Sequence, residues 1–396
     1  MPAIVVIVML VLSCVARADE QTAPSDETMN LTRQMIDAVR RQDVAAAVNL
    51  LDSDALFDRL SAGVTAPADF QAGVKRGFAA QAQNIMGAIV KAGGGGAYHF
   101  LRIRKVNGET RVLFRILPKG GGVNYHDWVT GRDQQGHLKF QDVYIAVAGE
   151  LVSRTMHRPY IQAVLAANPG LLDRLTGKDK QLAANLSKLV HLEQDFQTAK
   201  YPEVLDAYKT LPASMQEDKS CMIARLLAAE KLRKQMPQEY TTAMADYQRL
   251  FPGDASVDLD CIDALFETKQ YAEARRSLDR IEAFTGGDAY LLILRGNTYK
   301  LEGGDDNFLQ AKRSFRKAVE EEPTLALAYW AQVTLSLETE KYDDTAALLT
   351  EIHQKLHLKI KDLTKLPTYA GFVQSDAYRK WIAAQTPETP STPTQQ

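Results

Sequence analysis

Apolar residues set at three-to-four spacing from about Met29 predict helices. Met35, Ile36 and Val39 form one stripe, and Ala45, Ala46, Val48, Leu50 and Leu51 continue it. A second helix is expected over Ala55 to Leu60, with Asp54 as its N-cap. A third is expected from Pro67 to Lys91, where Phe70, Val74, Phe78, Ala82, Ile85 and Ile89 share one side. The glycine run 93–96 should end it.

The period then changes to two. Tyr98 to Val106, Arg111 to Leu117, Val123 to Thr130 and Leu138 to Val147 read as four strands, and Asn107-Gly108 signals a two-residue hairpin turn. Sequential hairpins favour an antiparallel meander with the preceding helices over one face. Beyond Pro159 the helical period returns. Asn168-Pro169-Gly170 interrupts it, and a repeat of about 34 residues follows between Ala255 and Leu358.

The clearest repeat unit reads Leu292, Gly296 and Tyr299, then Ala311, Phe315, Ala318 and Pro323. These residues resemble the tetratricopeptide repeat (TPR) family. Its first helix carries a bulky residue, a glycine and an aromatic, and its second a small residue, an aromatic and another small one. Tyr271-Ala272-Glu273-Ala274 with Leu278 marks the unit before; Tyr329, Tyr342, Ala346 and Leu349 mark the unit after. Two more degenerate units begin at about Leu186 and Leu226.

The resemblance implies stacked helix–turn–helix units whose first helices line a concave groove. The groove positions would be Leu259, Asp263 and Phe266, then Tyr290, Ile293 and Asn297, then Leu327, Trp330 and Thr334. Aromatic rings with a few amides and acids suit a protein or peptide partner. Some family members clamp a terminal carboxylate with Lys and Asn; here Asn297 fits and Ile293 stands where the Lys would be.

Helices followed by a curved meander, with Asn124-Tyr125-His126-Asp127 and Asp142-Val143-Tyr144-Ile145 inside it, resemble the NTF2-like α+β cone. The expected organisation is therefore a signal peptide over 1–18 and a loose segment over 19–28. An NTF2-like α+β domain over 29–158 and a helical linker over 159–185 follow. A TPR-like solenoid over 186–359, a capping helix over 360–385 and a disordered tail over 386–396 complete the chain.

Charge and composition refine this picture. Lys and Arg number 47 against 49 Asp and Glu, a net charge of −2, which argues against a nucleic-acid footprint. Ala3 to Val15 is an apolar run too short for a comfortable membrane span, and Ala16-Arg17-Ala18 has the form of a cleavage site. Export to a periplasmic or extracellular space is the expectation, with no stable membrane span after cleavage. Cys221 and Cys261 would remain, either joined or simply buried in packing.

Candidate chemistry is sparse. Alternation puts Tyr125 and Asp127 on one strand face, and simple hairpin registers would add Asp142 and Tyr144, lining a possible cone pocket with a carboxyl poised for proton abstraction. His353 and His357 stand four apart but lack the Glu of zinc peptidases and any third ligand, so no metal is expected. Neither glycine cluster, 93–96 or 120–122, is followed by a phosphate-binding sequence, and no cofactor is expected. The expected role is a non-catalytic adaptor holding a partner in the groove, with small-molecule binding or acid/base chemistry in the cone as the alternative.

Overall fold

The computed structural model describes residues 25–94, 97–118, 121–168, 170, 175, 177–252 and 254–385. The expected signal peptide over 1–18 and the tail over 386–396 lie outside these residues. The chain divides into two compact units, Met1–Ala146 with Glu150–Ala184, and Val147–Gly149 with Asn185–Gln396.

Four helices open the first unit: α1 (Asp26–Arg40), α2 (Val44–Asn49), α3 (Ser53–Ser61) and α4 (Ala68–Gly94). Ser25 caps α1, its Oγ accepting from the Thr28 N–H. The cap of α3 is Asp52, whose Oδ1 accepts from the Ala55 N–H at 3.0 Å, two residues before the expected Asp54. The reason is a tertiary bond: the Asp52 N–H donates to the Phe140 carbonyl and pins the backbone at that residue. Helix α4 ends at Gly94, within the glycine run expected to end it, and Gly93 has a packing role besides. A Cβ there would lie 2.7 Å from Val39 Cγ1 and 2.8 Å from Tyr98 Cδ2, so close packing of α4 against its neighbours demands the glycine.

The sheet follows in the order β1 (Ala97–Val106), β2 (Glu109–Leu117), β3 (Asn124–Arg132), β4 (Leu138–Ile145) and β5 (Glu150–Leu151), each pair antiparallel. The two-residue β5 is an addition to the four expected strands. Asn107 and Gly108 take φ of 51° and 84°, the left-handed pair that a two-residue hairpin requires. This turn sets Val106 opposite Glu109 and fixes every pairing behind it, apart from a bulge between Phe100 and Arg102.

One sheet face is apolar. Phe114, Trp128 and Phe140 on it are fully buried, with Tyr98 accepting from Trp128 Nε1 at 2.7 Å. Helix α5 (Val152–Ala167) runs unbroken through residue 158, where a domain boundary was expected, because Tyr160, Ile161 and Val164 are buried and the Tyr160 ring meets Phe57 of α3. Helix α6 (Gly177–Ala184) completes this unit.

The second unit is made of paired helices. The pairs are α7 (Leu186–Gln197) with α8 (Tyr201–Lys209), α10 (Lys219–Lys231) with α11 (Pro237–Leu250), and α12 (Ser256–Glu267) with α13 (Tyr271–Thr285). Then come α14 (Ala289–Glu302) with α15 (Asp305–Glu321), and α16 (Ala326–Glu338) with α17 (Tyr342–Leu356). A short α9 (Ala213–Gln216) lies between the first two pairs, and α18 (Ala370–Gln374) and α19 (Asp376–Gln385) follow the last.

Three of the five pairs share one turn. Ala199, Lys269 and Glu340 each adopt φ near 55°, and the following N–H of Lys200, Gln270 and Lys341 donates five residues back, to Asp195, Leu265 and Ser336. Before each, a threonine (198, 268, 339) bonds through Oγ1 to the carbonyl four residues earlier, and a tyrosine (201, 271, 342) opens the second helix. Within the fourth pair, a Cβ on Gly296 would stand 2.3 Å from the Phe315 ring, so only glycine lets the two helices close. Cys221 and Cys261 are both buried and are not joined to each other by a disulfide.

Candidate functional site

The second face of the sheet is polar, and the register assembles it row by row. Arg104 stands opposite Arg111, Arg111 opposite Val129, and Val129 opposite Asp142. In the next row Arg102, Leu113, Asp127 and Tyr144 are successive partners, and beyond them Arg115 stands opposite Tyr125. The four sheet residues expected to share a face therefore do so. Four arginines that the sequence reading passed over join them.

This face is buried. Tyr125, Asp127, Asp142 and Arg115 are at most 1% exposed, Arg104 and Arg111 are 4% and 8% exposed, and Tyr144 is half-buried. Ionised groups so placed need partners. Asp127 Oδ2 accepts from Arg104 Nη2 at 2.9 Å and, at 3.5 Å, from Arg111 Nη1. Arg111 Nη2 also donates to Glu109, which accepts on its other oxygen from Arg59 of α3. Burial opposes ionisation of Glu109, but the hydrogen bonds from Arg111 and Arg59 prevail and hold its carboxyl below the ordinary range.

Asp142 differs. Its Oδ1 accepts from the N–H groups of Val143 and Ser153, at 2.9 and 3.1 Å, yet desolvation outweighs these bonds and raises the carboxyl above its usual value. The side chain of Asp127 is engaged as an ion-pair partner, and Asp142 is the carboxyl that burial tilts towards its neutral form.

The signal for the arginines lies in the sequence. Asn107-Gly108 fixes 104 opposite 111, and period-two alternation then puts Arg102, Arg104, Arg111 and Arg115 on the side of Asp127.

The expected groove positions on α12, α14 and α16 divide into two groups. Leu259 and Ile293 are buried between helices rather than open to a groove, because these first helices pack on both flanks. Asp263 and Leu327 are exposed, Leu327 by 47%, and Phe266, Tyr290 and Asn297 are half-buried. Trp330 packs against a closing cluster that contains Tyr329, Val333, Phe372 and Trp381. Thr334 spends its hydroxyl on the Trp330 carbonyl, at 2.9 Å.

A recess of about 480 Å³ opens on a different side of α16, between α15 and α17. Phe308, Leu309, Leu335 and Leu348 line it, and the ion pair of Lys312 with Asp344 stands at its rim. The 48% exposure of Leu309 belongs to this recess. His353 and His357 do not share a helix face, since His357 ends α17 in a left-handed conformation. Among the described residues no group of side chains forms a metal site, and no helix is long and apolar enough to cross a membrane.

No family model and no curated protein matches this chain. Among solved structures, the crystal structure of PilW, a widely conserved type IV pilus biogenesis factor, is similar at 11% identity and a TM-score of 0.34. The match covers 53% of this chain and 96% of that one, a likeness too distant to bear on what this chain does.

Proposed function

We propose that this chain is an exported, non-catalytic adaptor, built from an NTF2-like α+β module and a TPR-like stack that holds a protein or peptide. The observation that carries the reading is the series Asp263, Phe266, Tyr290, Asn297 and Leu327. These residues lie on the first helices of three consecutive pairs and keep exposed or half-exposed side chains. Apolar groups left at the surface in a row, with an acid and an amide among them, offer a peptide buried area and partners for its backbone.

The structure changes which residues should anchor the partner. Trp330 is committed to the closing cluster, so Phe266 and Leu327 take its place beside Tyr290. With a photo-crosslinker at Asn297, replacing Phe266 and Leu327 by Ala should weaken capture of the cross-linked partner by about tenfold or more. Melting behaviour should stay the same. Undiminished capture by a folded double variant would remove the groove from the account.

The extracytoplasmic address rests on the apolar run Ala3 to Val15 and the Ala16-Arg17-Ala18 motif. Amino-terminal sequencing of the native protein should begin at Asp19; a start at Met1 or Pro2 contradicts cleavage.

A further inference from the structure

We propose that the segment 357–366, which straps the closing cluster after α17, docks the chain on an anionic lipid surface. It reads His357-Leu358-Lys359-Ile360-Lys361-Asp362-Leu363-Thr364-Lys365-Leu366, basic and apolar residues in close alternation. The strap is fastened from within. His353 Nδ1 donates to the Leu358 carbonyl at 3.1 Å, Ile360 packs against the closing cluster, and Leu363 is buried in it. Asp362 turns its Oδ1 to the Thr364 N–H and hydroxyl, at 3.1 and 2.6 Å.

With Ile360 and Leu363 turned inward, the other side chains go to solvent. Leu358 and Leu366, one at each end, are both 39% exposed. Lys359 and Lys361 between them are exposed and have no acidic partner among the described residues. Lys355 pairs with Glu351, and Lys365 lies 3.3 Å from Asp362, but both lysines are themselves exposed, where such pairs hold weakly. Stable attachment to a bilayer surface takes two signals, apolar side chains to enter it and cations to meet its headgroups, and the strap supplies both. Lysine is a mobile point charge on a flexible stem, which suits a fluid array of phosphodiesters; a single acidic peptide is better gripped by the planar fork of arginine. The whole chain has a net charge of −2, so the attraction is local and fixes which end of the helical stack meets the lipid.

The full chain is sedimented with vesicles of phosphatidylcholine alone and with vesicles containing about one-third phosphatidylglycerol, at a Debye length of about 8 Å. The apolar run Ala3 to Val15 would favour both vesicles alike, so the ratio between them reports the strap. Anionic vesicles should bind about tenfold better or more. Lys359→Gln with Lys361→Gln should remove most of that excess, about fivefold for each lysine. Leu358→Ser with Leu366→Ser should weaken binding severalfold and leave its salt dependence in place. Melting curves should match the native chain, since all four side chains are exposed. If a variant does not fold, the native chain decides: salt at about 1 M, which shortens the Debye length to about 3 Å, should erase the anionic excess. Equal binding to the two vesicles overturns the proposal, as does an excess that survives the lysine changes or the salt. Soluble polyglutamate bound as tightly as the vesicles, with the leucine changes costing nothing, would assign the strap to an acidic protein instead.

Discussion

His126 shows how burial turns a single ring into a pH-dependent contribution. It lies on the apolar sheet face with Tyr98 Oη 3.5 Å from its Nδ1, and burial pushes its pKa down to about 4. An unfolded histidine titrates near 6.5. As pH falls below that value the unfolded chain takes up a proton that the folded chain refuses. Stability is therefore complete above about 6.5 and is lost progressively down to about 4. Asp142, raised by desolvation, acts in the opposite direction, so the histidine is isolated only by comparison. Urea titrations at pH 7 and pH 5 should show the native chain losing about 2 kcal/mol more than His126→Leu. Equal losses would mean that the ring is protonated in the fold. At this scale the alternation of Tyr125 and Asp127 against His126 and Trp128 was readable from the strand pattern. The burial of Arg104, Arg111 and Arg115 was not, because an arginine at a strand position ordinarily signals a face turned to water.

Among the helical elements, Gly296 carries the most information. In an open helix, glycine to alanine stabilises by about 1 kcal/mol. Here the added methyl meets the Phe315 ring at 2.3 Å, and the ring is fully buried with little room to move. Overpacking should win, and Gly296→Ala should destabilise the second unit by roughly 1–3 kcal/mol, read as a lower urea midpoint. A rise in the midpoint would show that the pair can slide apart without cost. The motif around Gly296 was legible because it needs a residue without a side chain at one fixed place. The shared turn at Ala199, Lys269 and Glu340 was not, since none of the three is the glycine or asparagine that advertises a left-handed backbone. The threonine before and the tyrosine after are its trace. Element boundaries slipped where tertiary bonds intervened, as at Asp52, which is tied to Phe140.

For the molecule as a whole, the passage from period 3.6 to period two and back announced helices, then an antiparallel sheet, then helices again. The assignment of α5 was hidden, because a helix docked in a core and a helix in a linker share one pattern until Tyr160, Ile161 and Val164 are seen buried. The last pair of helices has a further lesson. Leu363, Phe372, Ala377 and Trp381 cover Tyr329, Val333, Leu349 and Ile352, and Trp381 Nε1 also donates to Thr350. A chain cut after Lys359 would leave that apolar terminus bare, a patch able to meet only a second copy of itself. Such molecules should pair face to face, with a mass by light scattering that rises to twice that of one chain as concentration increases, whereas a truncated chain that stays monomeric would mean the final segment is mere ornament on a surface already content with water.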